Sequence, residues 1–134
     1  MSLALSIIVP GRMPYERQAE AVTLPGVMGQ FTVLPSHGAM LAQVEPGLVE
    51  IKVSGQVEKL VIGRGICEVG ADQVRVLAGK SALPGDFDTA AAKEALEAAE
   101  AQLAQQAGPV AEGWTEAQEE VAWADALSRL VAGS

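Results

Sequence analysis

The chain has 134 residues, 49% hydrophobic, 19% charged and 4% aromatic, which fits one or two small folded domains with a modest core and excludes a disordered tail. Nine basic and seventeen acidic residues give a formal net charge of −8, a balance that repels phosphate backbones and anionic headgroups, so nucleic acid is not an expected partner. A single cysteine, Cys67, and a single histidine, His37, leave no internal disulfide and no zinc site made of those types, and point to a reducing compartment.

The opening run Leu3–Val9 is apolar but short and has no base before it, so it reads as a strand rather than a secretion signal. No stretch approaches the roughly 20 apolar residues that cross a bilayer, and no direct membrane insertion is expected. Further strands are expected at Ala19–Leu24, Gln30–Leu34, Leu48–Val53, Val57–Ile62, Ile66–Val69 and Gln73–Leu77. Turn formers separate them: Pro25-Gly26, Pro46-Gly47, Ser54-Gly55 and Ala71-Asp72. Hairpins are expected at the last two, with Glu50 and Lys52 sharing a solvent face. Short strands at this spacing predict an antiparallel β-sandwich over residues 1–84.

At Leu83-Pro84-Gly85-Asp86 the composition turns from Val, Ile, Gly and Pro to Ala, Glu, Gln and Leu, so strands give way to helices. The charge divides at the same place. Up to Pro84, seven bases balance seven acids; beyond it only Lys93 and Arg129 face ten acids. Asp86 or Asp88 can cap a first helix from about Thr89 to Gln106, whose apolar face is mostly alanine with Leu96 and Leu103 one heptad apart. Ala107-Gly108-Pro109 stops it. Thr115-Glu116-Ala117-Gln118 fits a capping box for a second helix carrying Val121, Trp123, Ala124, Leu127, Leu130 and Val131 at helical spacing. The fold class is therefore α+β, with a helical hairpin over residues 85–134 that is too poor in large side chains to stand alone.

Residues that carry chemistry are few. His37 lies in a Pro35-Ser36-His37-Gly38 turn, where neighbouring side chains do not converge on one reacting atom, and Cys67 sits in an apolar strand as a small hydrophobe. Gly63-Arg64-Gly65 lacks the Gly-Lys-Ser/Thr of a phosphate loop and reads as a tight hairpin crossing. Asp86 and Asp88 lack a third oxygen ligand for a metal, and Glu94, Glu97 and Glu100 form a solvated helix face. No catalytic residue, metal or cofactor is expected.

The order of residues in Pro25 to Glu50, PGVMGQFTVLPSHGAMLAQVEPGLVE, is more specific than composition. It resembles the ε subunit of bacterial F-type ATP synthase, called δ in mitochondria, through Gly26, Gly29, Leu34, Pro35, His37, Pro46 and Gly47. A second stretch, Ile62 to Val69, is similar to that family's Ser-Gly-Gly-x-x-Glu-Val in Gly65, Glu68 and Val69. The neutral sandwich, Pro-Gly hinge and Ala/Glu-rich hairpin follow in the family's order.

The resemblance implies a non-catalytic rotor subunit whose partners are the γ subunit and the membrane c-ring, with the hairpin able to reach the α/β catalytic head. It places Gln30 and His37 in the region facing the c-ring, other sandwich surface against γ, and the whole at the cytoplasmic face of a bacterial inner membrane, peripheral through the complex. The chain departs from the family where His37-Gly38-Ala39 stands for His-Ala-Pro and where Thr32 replaces a common glycine. Members that bind ATP carry Leu/Ile-Asp-x-x-Arg-Ala. Here Phe87-Asp88-Thr89-Ala90-Ala91-Ala92 keeps Asp88, but Ala91 removes the guanidinium, which weighs against the alternative of an ATP-like ligand sensor. The tail's lack of bases weighs against inhibition through acidic surfaces on the head.

Overall fold

The computed structural model describes residues 2–36, 38–83, 89–104 and 116–132. Ten strands come first: β1 (Leu3–Ile8), β2 (Tyr15–Ala19), β3 (Ala21–Leu24), β4 (Phe31–Val33), β5 (Met40–Val44), β6 (Gly47–Val53), β7 (Gln56–Ile62), β8 (Gly65–Gly70), β9 (Gln73–Ala78) and β10 (Ser81–Ala82). Helices α1 (Thr89–Ala104) and α2 (Glu116–Ala132) follow. The strands form two five-stranded sheets, A in the order β2-β1-β9-β8-β5 and B in the order β10-β7-β6-β3-β4. Each pairing is antiparallel except β1 with β9, which run parallel from Ala4↔Gln73 to Ile8↔Leu77.

Period-two alternation builds the space between the sheets. From sheet A, Leu3, Leu5, Ile7, Cys67, Val74 and Val76 point inward, and from sheet B, Val22, Leu24, Val33, Val49, Ile51, Leu60 and Ile62 meet them, all buried. The Ser54-Gly55 hairpin forms as the sequence predicts. Its two residues take φ of 51° and 78°, the pair of positive angles that a two-residue turn needs to match the twist of its strands. The Ala71-Asp72 hairpin between β8 and β9 is also present.

Three strands escape the sequence pattern, each for a visible reason. In β2 the inward-facing position between Tyr15 and Ala19 is filled by Arg17, which hides the alternation. The sequence of β5, Met-Leu-Ala-Gln-Val, has Leu41 on the outer face, and β10 is two residues long. The Gly63-Arg64-Gly65 segment corrects the expected hairpin crossing. Strand β7 belongs to sheet B and β8 to sheet A, so the segment carries the chain from one sheet to the other.

The helices cover one face only. Across sheet B's outer face, Leu48, Val61 and Ala82 are register partners on β6, β7 and β10. Trp123, Ala126, Leu127 and Leu130 of α2 close over this row to make a second core with Ala92 of α1. This explains why Leu60, Val61 and Ile62 are all buried: the outer two face the sandwich and the middle one faces the helix. Helix α1 packs on α2 through buried Ala92 and Ala99, and Ser128 Oγ donates to the Ala92 carbonyl at 3.5 Å. Glu50 and Lys52 do share the outer face of β6, further along from Leu48. The caps expected at Asp86, Asp88 and Thr115, the stop at Ala107-Gly108-Pro109, the division at residue 84 and the side chain of Val131 lie outside the described residues.

Close backbone approach makes one glycine of β8 irreplaceable and leaves another free. A Cβ on Gly65 would run into the Leu77 carbonyl oxygen and come within 2.9 Å of Ala78 Cα, whereas one on Gly70 would meet nothing within 4 Å. Gly65→Ala is expected to lower stability by about 2 kcal/mol, and Gly70→Ala to leave it unchanged or slightly raised. Urea unfolding of the two variants checks this, and equal midpoints would contradict it.

Candidate functional site

Groups that could do covalent chemistry are poorly placed for it. Cys67 is a fully buried free thiol whose pKa is pushed up to about 11, by burial first and then by the neighbouring Glu68 carboxylate. It is inert as a nucleophile. Ser36 sits at φ 68° with its backbone N–H donating to Asp72 Oδ1 at 2.7 Å, which anchors the β4–β5 connection to the β8–β9 turn. His37 itself lies outside the described residues. Among the described residues no group of three His, Cys, Asp or Glu side chains could hold a metal, and no helix is long and apolar enough to cross a membrane.

The motif residues act mainly through backbone. Gly26 bridges to Val44, and a Cβ there would lie 2.6 Å from the Gly29 carbonyl and 2.8 Å from the Phe31 ring. Gly29 has φ 127°. Gly47 opens β6 against Pro25, to which a Cβ would come within 2.9 Å, with Pro46 just before it. Pro35 lies in the turn after β4, and Glu68 on the outer face of β8 pairs with Arg75 at 3.3 Å. Thr32, where glycine is common in the family, contacts Thr23 through the two hydroxyls at 2.9 Å across β3 and β4. Strand β4 together with Leu34 and Pro35 separates Gln30 from Ser36, which precedes position 37.

The two outer faces of the sandwich differ sharply. Sheet B's is covered by α2 at its β10–β7–β6 end. Sheet A's has no helix over it among the described residues: Gln43, Ile66, Leu77 and Ile8 are register neighbours across β5, β8, β9 and β1, and Ile66 and Leu77 are 45% and 43% exposed. Leu41, 70% exposed, lies on the same face beside Glu68. A trough of about 480 Å³ lined by residues including Ala4, Ser6, Gln18, Gln73 and Arg75 runs alongside. In the sequence these positions show as the out-of-phase Leu77 in Val74-Arg75-Val76-Leu77-Ala78 and as Ile66 before Cys67, but alternation by itself identifies the inward face and not what an apolar outward residue is for. Another apolar point, Met28, is 99% exposed at the tip of the β3–β4 loop.

A charged clasp joins the sheets at the β2 margin. Arg17 Nε donates to Glu58 Oε1 at 2.9 Å, and its NH2 group bonds the other carboxylate oxygen, so the fork is bidentate. The Arg17 hydrogen bond holds the Glu58 pKa below its ordinary 4.5, while burial and then the Glu58 charge raise the Tyr15 phenol above 10.0.

Residues 2–83 match the model of the ATP synthase delta/epsilon chain β-sandwich domain. The chain belongs to the ATP synthase delta/epsilon family. An ATP synthase epsilon chain of Janthinobacterium sp. (strain Marseille) is 37% identical over 120 residues, 88% of this chain and 83% of the relative. That of Brevibacillus brevis is 35% identical over 102 residues, 75% and 77% of the two chains. A chain in the Euglena gracilis mitochondrial ATP synthase OSCP/F1/c-ring structure has the same fold, with TM-score 0.73 at 21% identity, covering 99% of this chain and 82% of that one. Epsilon chains are non-catalytic stalk subunits. At the start of α1, Ala91 is exposed and carries no guanidinium; Asp88 lies outside the described residues.

The clasp gives a pH-dependent contribution with a definite sign. A carboxylate with a lowered folded-state pKa adds stability above its unfolded value and loses it as the pH falls through the folded one. Arg17→Met is therefore expected to lower Tm at pH 7, and the gap to the unmodified chain should close as pH falls from about 4.5 downward. Calorimetry across pH 7 to 3 checks this, and a gap of constant size would contradict it.

Proposed function

We propose that this chain works as a central-stalk rotor subunit, transmitting torque between the γ subunit and the c-ring of an F-type ATP synthase at the cytoplasmic face of a bacterial inner membrane, peripheral through its complex. One observation carries the reading: of the two outer sheet faces, sheet B's is covered at its β10–β7–β6 end by the chain's own helix, and sheet A's leaves Ile66, Leu77 and Ile8 in one row with exposed Leu41 on the same face. A bare apolar sheet face on a small chain marks a protein contact. The bare face is the γ-docking surface in this reading, and Gln30 and His37 belong to the c-ring side.

The requirement on such a part is rigidity with a broad interface, not chemistry. Two sheets tied by the Arg17–Glu58 fork and by a shared apolar core supply the rigidity. The hairpin lies against sheet B, away from the bare face, so γ docking on sheet A leaves its position undisturbed. Regulation of ATP hydrolysis by the hairpin is a second element of the proposal, supported by α2 meeting the sandwich through a separate small core.

The test is capture of the same organism's γ subunit by the tagged full chain and by the double variant Ile66→Asp/Leu77→Asp. Both side chains are exposed, so the variant should keep its circular dichroism spectrum while losing γ capture at least tenfold. Retained capture would overturn the assignment of the face. Absence of capture by the unmodified chain would overturn the rotor reading itself.

A further inference from the structure

The acids of the tail are not all turned to solvent. Two of them near the start of α2 meet bases on the sandwich: Glu119 Oε1 lies 3.1 Å from Arg64 NH1, and Glu120 Oε1 lies 3.1 Å from Lys80 Nζ. Lys80 also stands over the Trp123 ring, its Nζ 4.3 Å from the centroid. One ammonium thus engages two successive turns of the same helix, one through charge and one through the ring face. Among the described residues, both of these charge contacts have the base on the sandwich and the acid on the helix.

The two bases are held side by side by backbone. Gly63 N–H donates to the Lys80 carbonyl at 2.8 Å, and Gly79 N–H to the Arg64 carbonyl at 3.1 Å, so the β7–β8 and β9–β10 connections form a joined platform. Gly63 also makes room for the lysine stem, since a Cβ there would come within 2.9 Å of Lys80 Cγ. The apolar part of the contact is small, made of Trp123, Leu127, Leu130 and Ala126 on Leu48, Val61 and Ala82. Single exposed ion pairs contribute little, but here two pairs and a ring contact act on one short helix end.

We infer that Arg64 and Lys80 form an ionic latch that fastens α2 to sheet B, so that docking of the hairpin is governed by ionic strength as well as by apolar burial. The tail of this chain is matched in charge to its own sandwich. This inference rests on the docked geometry alone and is independent of the rotor reading, because it is measured on the isolated full chain.

Hydrogen exchange of the α2 amides, with Trp123 emission read in a Trp114→Phe background, tests it. Lys80→Glu and Glu120→Lys should each speed α2 exchange about fivefold and red-shift Trp123, while Lys80→Arg stays within about twofold of the unmodified chain. The double variant Lys80→Glu/Glu120→Lys restores opposite charges and should exchange more slowly than either single variant. Raising salt from 0.05 to 0.5 M, roughly a threefold cut in screening length, should loosen α2 in the unmodified chain and less so in Lys80→Gln. Unchanged exchange in Lys80→Glu, a double variant no slower than the singles, or no response to salt would each overturn the latch. The double-variant arm also separates the latch from any favourable effect of Glu119 and Glu120 on the α2 N-terminus, which the swap does not restore.

Discussion

The row formed by Leu48, Val61 and Ala82 beneath Trp123, Leu127 and Leu130 determines how the rest of the molecule is arranged. It makes sheet B a layer buried on both faces at its β10–β7–β6 end, and it gives a hairpin rich in alanine a surface on which to fold. Helix α1 touches mainly α2, through small side chains, so it depends on α2 being seated first. Short helices of this composition have little stability of their own, and tertiary contact supplies it.

The consequence is an asymmetric sandwich. With the hairpin covering the β10–β7–β6 end of sheet B, sheet A keeps an exposed apolar row in which Ile66 and Leu77 are neighbours across β8 and β9. In the rotor reading proposed above, one sheet holds a partner and the other carries the helical tail. The polar residues interspersed with the apolar row, Glu68 paired with Arg75 and Gln43 beside Ile66, keep the bare face soluble while leaving its contacts available.

Much of this was legible in the sequence. Seven of the ten strands, both two-residue hairpins and the succession of a β-sandwich by two helices follow from alternation, turn residues and composition. What alternation could not reveal was strand β2, because Arg17 occupies an inward-facing position and is stabilised by Glu58 from the other sheet, forty-one residues away. The same limit hid the docking of α2. Leu60-Val61-Ile62 is visibly a continuous apolar run, yet which element covers Val61 is a fact about the third dimension. Nor does the sequence pair Glu119 with Arg64 or Glu120 with Lys80, which lie 55 and 40 residues away along the chain. For the family-motif residues, sequence conveyed position and the structure supplied cause: Gly26, Gly47 and Gly65 are places where another part of the backbone or a ring leaves no room for a side chain.

The parallel pairing of β1 with β9 has a consequence for how the chain is made. Strand β1 is made before the other nine strands and can pair early with β2, but its other edge waits for residues 73–77. At a synthesis rate of about 10 residues per second, several seconds separate the two, during which an apolar ribbon containing Leu3, Leu5 and Ile7 has one unfilled edge. Sheet A closes only when nearly the whole sandwich exists, so its assembly is dominated by sequence-distant contacts and is slow compared with the local hairpins. A nascent chain interrupted before β9 would lack the strand that lies between β1 and β8, and with it the continuity of the face on which Ile8 and Leu77 meet.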